Sequence, residues 1–205
     1  MFTGIVEATG KVVSFEEKKA AWLLKLSVGQ FIADSLKQGD SLACNGCCLT
    51  VVGKDLNTLS FELLEETIRL TDFEGISNGA LVNLERPLAA GARLGGHFVT
   101  GHIDERSRVL EFSQKGKNVY LRIAVGSEFR KYCVYKGSIA IDGISLTIAD
   151  AIDDYVGVWL IPHTLEVTNL CECAVGKYVN VEYDILAKYA EKVASGNREK
   201  SPYQP

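Results

Sequence analysis

The sequence predicts an all-β protein: two tandem, homologous antiparallel barrels followed by a C-terminal helix. Three observations carry this reading. First, GDSLACNGCCLTV at 39–51 returns in altered form as GSIAIDGISLTI at 137–148, aligning Ser41/Ser138, Gly46/Gly143, Leu49/Leu146 and Thr50/Thr147 at one offset (145 − 48 = 97 for Cys48/Ser145). Second, the same offset holds in separated blocks. Thr3-Gly4-Ile5-Val6-Glu7 matches Thr100-Gly101-His102-Ile103-Asp104, and Gly79–Glu85 matches Gly176–Glu182. Third, each half carries short period-2 stretches separated by glycine and polar turns, the mark of half-buried strands. Several short strands in about 97 residues favour a closed barrel, because closure removes exposed sheet edges.

Taken in order, Trp22, Leu24, Leu26 and Val28 alternate, and their counterparts Val119, Leu121, Ile123 and Val125 alternate around Tyr120, Arg122 and Ala124. A short helical turn is expected at Phe31–Leu36, with its counterpart at Glu128–Cys133. Leu42–Val52 and Ser138–Ala149 are β-rich. Phe61–Leu64 and Val158–Ile161 read as strands entered from hairpin loops at Lys54–Asn57 and Asp153–Asp154. Helical turns are expected after Thr67 and Thr164, whose hydroxyls would sit where helix-start N–H groups are free to bind a carbonyl. Pro87, Gly91, Gly95 and Gly96 interrupt the pattern, so the domains are drawn at 1–96 and 97–184. In 185–205, Ile185, Leu186, Tyr189 and Val193 recur at helical spacing until Gly196-Asn197, and the tail Arg198–Pro205 is expected to be unstructured.

Composition narrows the function. The 205 residues are 47% hydrophobic, with 19 glycines and 4 prolines, which suits packed β structure. A net charge of −4 and the lack of any basic tract argue against nucleic-acid binding. Met1-Phe2-Thr3-Gly4 lacks the features of a secretory leader, and no run approaches the ~18 apolar residues of a membrane span. A cytoplasmic protein with six reduced cysteines is expected. No phosphate-binding glycine loop occurs, so no external cofactor is signalled. A zinc site from Cys44-x-x-Cys47 and Cys171-x-Cys173 is disfavoured: within one strand Cys44 and Cys47 would face opposite ways, and His97, His102 and His163 are the only histidines.

Differences between the halves are the informative part. Ile5 becomes His102, Gly39 becomes Lys136, Asn45 becomes Asp142, Cys48 becomes Ser145 and Pro87 becomes Asp184. The second half thus gains ionisable groups suited to proton transfer, while Cys48 is the candidate nucleophile of the repeated motif. Agreement between the halves (Gly4/Gly101, Thr50/Thr147, Thr67/Thr164) marks a shared ligand as much as shared turns.

MFTGIVE, CNGCCLTV, GGHFVTGHID, KGSIAIDGISLTI and IPHTLEVTNL together resemble the riboflavin synthase family (barrel-type, α-chain) over about residues 1–190. The resemblance implies two six-stranded barrels and a C-terminal helix. It also implies a cofactor-independent transferase that dismutates two 6,7-dimethyl-8-ribityllumazine molecules, with two related pockets for two copies of one substrate. For the first half it implies a pocket of Gly4, Ile5, Val6, Cys48, Leu49, Thr50, Glu62, Leu63, Leu64, Glu65, Glu66 and Thr67, with Ser41 also at the substrate. For the second half it implies Gly101, His102, Ile103, Lys136, Ser145, Leu146, Thr147, Leu160, Ile161, Pro162, His163, Thr164 and Leu165. It further implies a homotrimer associated through the C-terminal helices, with the active site shared between neighbouring subunits. In this scheme Cys48 adds to a ring carbon or positions a water, and His102, Ser145 and Thr147 move protons. Lys136, Asp142 and Asp184 are electrostatic and positioning groups of the catalytic set. The competing readings are a non-catalytic lumazine- or flavin-binding relative of the same fold and a flavin-reductase-like barrel. The latter would need a nicotinamide-binding α/β region, and no strand–glycine-loop–helix pattern occurs in this sequence.

Overall fold

The computed structural model describes residues 1–18, 21–152 and 154–196. The first barrel contains β1 (Ala8–Glu17), β2 (Trp22–Ser27), β3 (Ser41–Cys44), β4 (Cys47–Asp55), β5 (Thr58–Leu63) and β6 (Leu81–Glu85). The second contains β7 (Glu105–Lys115), β8 (Asn118–Ala124), β9 (Ser138–Ile141), β10 (Ile144–Ile152), β11 (Tyr155–Leu160) and β12 (Tyr178–Tyr183). Each set closes on itself, in the orders β1-β2-β5-β4-β3-β6 and β10-β11-β8-β7-β12-β9. Alternation explains the interior: Leu24 and Leu26 of β2, and Val119, Leu121 and Ile123 of β8, all point into their cores. Tyr120 departs from the expected pattern. It is buried on the opposite face, where its hydroxyl donates to Asp150 Oδ2 at 2.8 Å.

Both barrels bend at the same places. Bulges fall between Val12 and Ser14 and between Val51 and Gly53, and again between Val109 and Glu111 and between Ile148 and Asp150. These are 97-residue equivalents, and bulges supply the curvature that closure needs.

The β-rich segment Leu42–Val52 is a hairpin rather than one strand, as is Ser138–Ala149. Asn45-Gly46 and Asp142-Gly143 have φ of 44° and 79°, and 46° and 76°. Two consecutive positive φ values are what a type I′ two-residue turn requires. The facing of Cys44 and Cys47 is corrected accordingly. They pair across the turn, and both lie in the first core. Burial is the main force raising both thiols, Cys47 to about 12, which keeps them protonated. Among the described residues no cluster of three or more His, Cys, Asp or Glu is arranged to hold a metal.

Short helices connect the strands: α1 (Gln30–Ser35), α2 (Glu65–Leu70) and α3 (Pro162–Val167). The helical turn expected at Glu128–Cys133 is a 3-10 turn at Arg130–Tyr132. Helix α4 (Ile185–Ser195) starts at Asp184, whose side chain accepts from Leu186 N at 2.9 Å, and ends at Gly196 with φ 60°. Asn197, the expected unstructured tail Arg198–Pro205, and Asp153 of the second hairpin loop lie outside the described residues. No described helix is long and apolar enough to cross a membrane.

The barrels meet around a local two-fold axis. Phe2 and Val99 exchange backbone bonds of 2.7 and 3.2 Å, and with Ala43, Ala140 and the half-buried Cys48 they form a small apolar cluster between the cores. Beside it runs a polar clasp. Asn83 Nδ2 donates to Asp142 O and to Asn169 Oδ1, while Asn180 Nδ2 donates to Asn45 O and to Asp72 Oδ1. Within the first half Asn45 Nδ2 donates to Asp72 Oδ2; within the second the order reverses and Asn169 Nδ2 donates to Asp142 Oδ2. Each pair keeps one amide and one carboxylate, so every donor still meets an acceptor. Desolvation is the main cause raising both carboxyl groups, Asp72 to about 6.

Candidate active site

The segment that opens each half crosses to the other barrel. Gly4 O accepts from Ser145 N at 2.7 Å, and Gly101 O accepts from Cys48 N at 2.8 Å. Both glycines have positive φ (77° and 85°). A Cβ on Gly4 would fall 2.6 Å from Ser145 Cβ, and one on Gly101 would fall 2.5 Å from Cys48 Cβ, so backbone contact here excludes any side chain. Beyond the crossings, Val6 packs with Leu146 and Leu165 on the second core, and Ile103 packs on the first.

This packing lays each opening segment along the opposite barrel, with Ile5 still reaching a groove of its own. The first barrel presents Cys48, Leu49 and Thr50 from β4 and the β5–α2 corner, and the segment laid against them is Gly101-His102-Ile103. The second presents Ser145, Leu146 and Thr147 from β10 and the β11–α3 corner, and its neighbour is Gly4-Ile5-Val6. The physical reason is the crossing at Phe2 and Val99, which sends each opening segment past the partner barrel before it joins its own at β1 or β7.

At the corners, Leu63 and Leu160 are buried, whereas Glu62, Leu64, Glu65, Glu66, Ile161, Pro162 and His163 are exposed and Thr67, Thr164 and Leu165 are half-buried. Helices α2 and α3 begin after Leu64 and Ile161, neither of which caps through a side chain. Thr67 and Thr164 therefore stand at the third helical position rather than at the start. Their carbonyls accept from Thr71 Oγ1 and Thr168 Oγ1 at 2.7 and 2.6 Å. The two corners differ in their first-turn donors: α2 opens on Glu65, Glu66 and Thr67, whereas in α3 Pro162 has no N–H and Thr164 N donates to Ile161 O at 3.0 Å, which leaves His163 N–H.

The other candidates separate into distinct places. His102, Thr147 and Lys136 are exposed. Lys136 holds φ 64° where its counterpart Gly39 has 91°, so a lysine occupies a conformation that suits glycine. Asp142 is 3% exposed and belongs to the inter-barrel clasp, where it lines a cavity of about 610 Å³ whose walls include neither Cys48 nor Ser145. Asp184 caps α4. Ser41 and Ile5 line a groove of about 690 Å³ on the first barrel, shared with Arg86, Pro87 and Arg93.

The structure adds one residue that comparison of the halves did not find. His97, 8% exposed, places Nδ1 2.7 Å from Ser145 Oγ, and its backbone N donates to Thr3 O at 3.1 Å. Its Nε2 is buried without a hydrogen-bond partner. Burial is the main cause holding the imidazole below 6.5, with Asp184 and Glu182 pulling the other way, so it is neutral at neutral pH. The offset that exposed the other pairs has no reach here, since 97 − 97 = 0 precedes Met1. Cys48 and Ser145 thus differ in more than their own atoms: Ser145 has an imidazole at hydrogen-bond distance.

Comparison with known proteins agrees with this architecture. The lumazine binding domain family matches the chain twice, over residues 3–87 and 100–184. The chain is 40% identical to riboflavin synthase of Bacillus amyloliquefaciens over 189 residues, covering 92% of this chain and 87% of that one. It is 39% identical to riboflavin synthase of Escherichia coli (strain K12), covering 90% and 87%. Among solved structures, LumP complexed with riboflavin superposes with a TM-score of 0.84 at 26% identity, covering 89% of this chain and 99% of that one. LumP complexed with 6,7-dimethyl-8-(1'-D-ribityl) lumazine gives 0.81, covering 89% and 98%. With the duplicated barrel, the doubled family match and two-fifths identity over nine-tenths of the chain, this protein belongs to the riboflavin synthase family.

Proposed function

We propose that the chain catalyses the dismutation of two 6,7-dimethyl-8-ribityllumazine molecules, one giving a four-carbon unit to the other to form riboflavin and 5-amino-6-ribitylaminopyrimidinedione. The observation that carries this is two equivalent strand positions made chemically unequal: a thiol at Cys48 in one barrel and a hydroxyl paired with His97 at Ser145 in the other. Two copies of one substrate need related pockets, and donor and acceptor roles need different ones.

In this reading Cys48 adds to an electron-poor ring carbon or positions the water that does. Ser145 and the neutral His97 pass the proton lost from the partner's 7-methyl group, with His102 and Thr147 alongside. The ring is the electron sink. Lys136 supplies positive charge at the rim. Asp142 and Asp184 act at a distance, through the clasp and the α4 cap. The exposed stripe Leu186, Tyr189 and Val193 supports assembly through α4 into a trimer, which brings pockets of neighbouring subunits face to face.

A second reading, a lumazine carrier without turnover, is favoured by the likeness to LumP. Incubation with the lumazine alone separates the two. Riboflavin fluorescence growing without additives, in step with release of the pyrimidinedione, is expected. Stoichiometric binding with no riboflavin would sink the catalytic reading and leave the carrier.

A further inference from the structure

Two buried carboxylates stand behind the crossing segments, and the chemistry above uses neither, apart from the charge that Glu182 places near His97. Glu85, at the end of β6, is 6% exposed, and Glu182 in β12 is 2% exposed. Each is held by neutral donors. Glu85 Oε1 accepts from Thr3 N at 2.6 Å and Thr3 Oγ1 at 2.8 Å, and its Oε2 accepts from Gly4 N at 3.0 Å. Glu182 repeats the arrangement with Thr100 N at 2.6 Å, Thr100 Oγ1 at 2.7 Å and Gly101 N at 2.9 Å. Burying a carboxylate is costly, and three directed hydrogen bonds offset that cost only while the segment stays in place. The segment is therefore pinned by the charge beneath it.

What is pinned belongs to the other barrel's site. Glu85 sits in the first barrel, yet Gly4 O receives Ser145 N and Thr3 O receives His97 N, both at the second barrel's pocket. Glu182 sits in the second, yet Gly101 O receives Cys48 N in the first. We propose that Glu85 and Glu182 are crossed positioning residues: each barrel's buried carboxylate fixes the reactive side chain of the opposite barrel through one Thr-Gly segment. This rests on the placement of Cys48 and Ser145 in the two pockets. Glutamine is the sharp substitution. Its amide nitrogen would meet the Gly4 or Gly101 N–H donor to donor and push away the glycine whose carbonyl holds Ser145 or Cys48.

The test reads each pocket by thiol alkylation, which needs no turnover. Iodoacetamide labelling is followed by tandem mass mapping of Cys48 in the parent chain and of position 145 in a Ser145→Cys background. Glu182→Gln is expected to speed Cys48 labelling about tenfold, the equivalent of one charge-assisted hydrogen bond, and to change position 145 far less, since it reaches that position only as a charge near His97. Glu85→Gln is expected to do the reverse. Uncrossed effects, equal effects at both positions, or no change in either would overturn the proposal.

A variant that does not fold is replaced by hydrogen exchange on the unchanged protein. The Cys48 and Gly101 amides should then share one opening free energy, and Ser145 and Gly4 another. Exchange of Cys48 in step with β4 rather than with Gly101 would equally overturn it. Because labelling and exchange are independent of lumazine, loss of the catalytic reading would leave a crossed pattern standing. An uncrossed pattern in an enzyme that still makes riboflavin would remove this proposal alone.

Discussion

Cys48 and Ser145 share a register position, yet their surroundings differ by a histidine that has no counterpart. Cys48 and Ser145 each bond through their backbone to a crossing glycine; only Ser145 has His97 at 2.7 Å. The imidazole acts as a proton acceptor only while neutral. Burial holds its pKa below 6.5, so the neutral form persists to lower pH than in an exposed histidine and is lost as pH falls through that lowered value. The acid limb of kcat/KM is accordingly expected below pH 6.5. His97→Gln should lower kcat by about 10²-fold, the usual scale for losing a positioned acid–base group, and remove that limb. A stopped pH–rate series on both proteins checks this, and an unchanged limb in the variant would exclude His97 from proton transfer. Sequence comparison of the halves exposed Cys48/Ser145 but passed over His97, because its partner is reached through space rather than by register.

At the scale of elements, the hairpins Asn45-Gly46 and Asp142-Gly143 do two jobs: they turn β3 into β4 and β9 into β10, and they supply the clasp. The exchange of Asn45/Asp142 with Asp72/Asn169 keeps one donor and one acceptor in each pair. Asn45→Asp alone would set a carboxylate against Asp72 and is expected to cost about 1–3 kcal/mol. At about 2–4 °C per kcal/mol for a chain of this size, the loss is readable as a lowered Tm. Adding Asp72→Asn returns the donor and should recover most of it. A double variant no better than the single would show that donor–acceptor matching is not what holds the clasp. The turn itself was legible, since Asn-Gly and Asp-Gly between apolar runs are hairpin signals. Reading Asn45–Val51 as a single strand put Cys44 and Cys47 on opposite faces, when the turn makes them cross-strand neighbours. The helices begin three residues before the turns expected after Thr67 and Thr164 for a related reason: Leu64 and Ile161 carry no capping side chain to mark the start.

Over the whole molecule, duplication and asymmetry have different physical carriers. Both cores rest on equivalent apolar positions, while the differences gather at the crossings, the clasp and α4. Helix α4 is fixed to its own barrel by Lys188 to Asp104 at 2.6 Å and Lys131 to Glu191 at 3.3 Å, and it leaves Leu186, Tyr189 and Val193 mostly exposed. An eleven-residue helix is marginal alone, and its exposed apolar stripe is the feature on which the proposed trimer rests. If the proposed trimer forms through α4, Leu186→Glu with Val193→Glu is expected to shift sedimentation from trimer to monomer and to lower turnover with it. A parent protein that sediments as a monomer while turning over lumazine at full rate would remove the shared-site reading.

The sequence by itself determined the two barrels, the terminal helix and the residue types that differ between the halves. Alternation and a fixed offset are local properties that survive without a partner in view. Only the tertiary structure decided which opening segment packs on which barrel, that Asp142 is a clasp residue, and that His97 meets Ser145. Those relations join residues 27 to 141 positions apart, from Asp142 with Asn169 to Gly4 with Ser145 (145 − 4 = 141). They follow from how two closed barrels pack around a local two-fold axis, which no periodicity along the chain encodes.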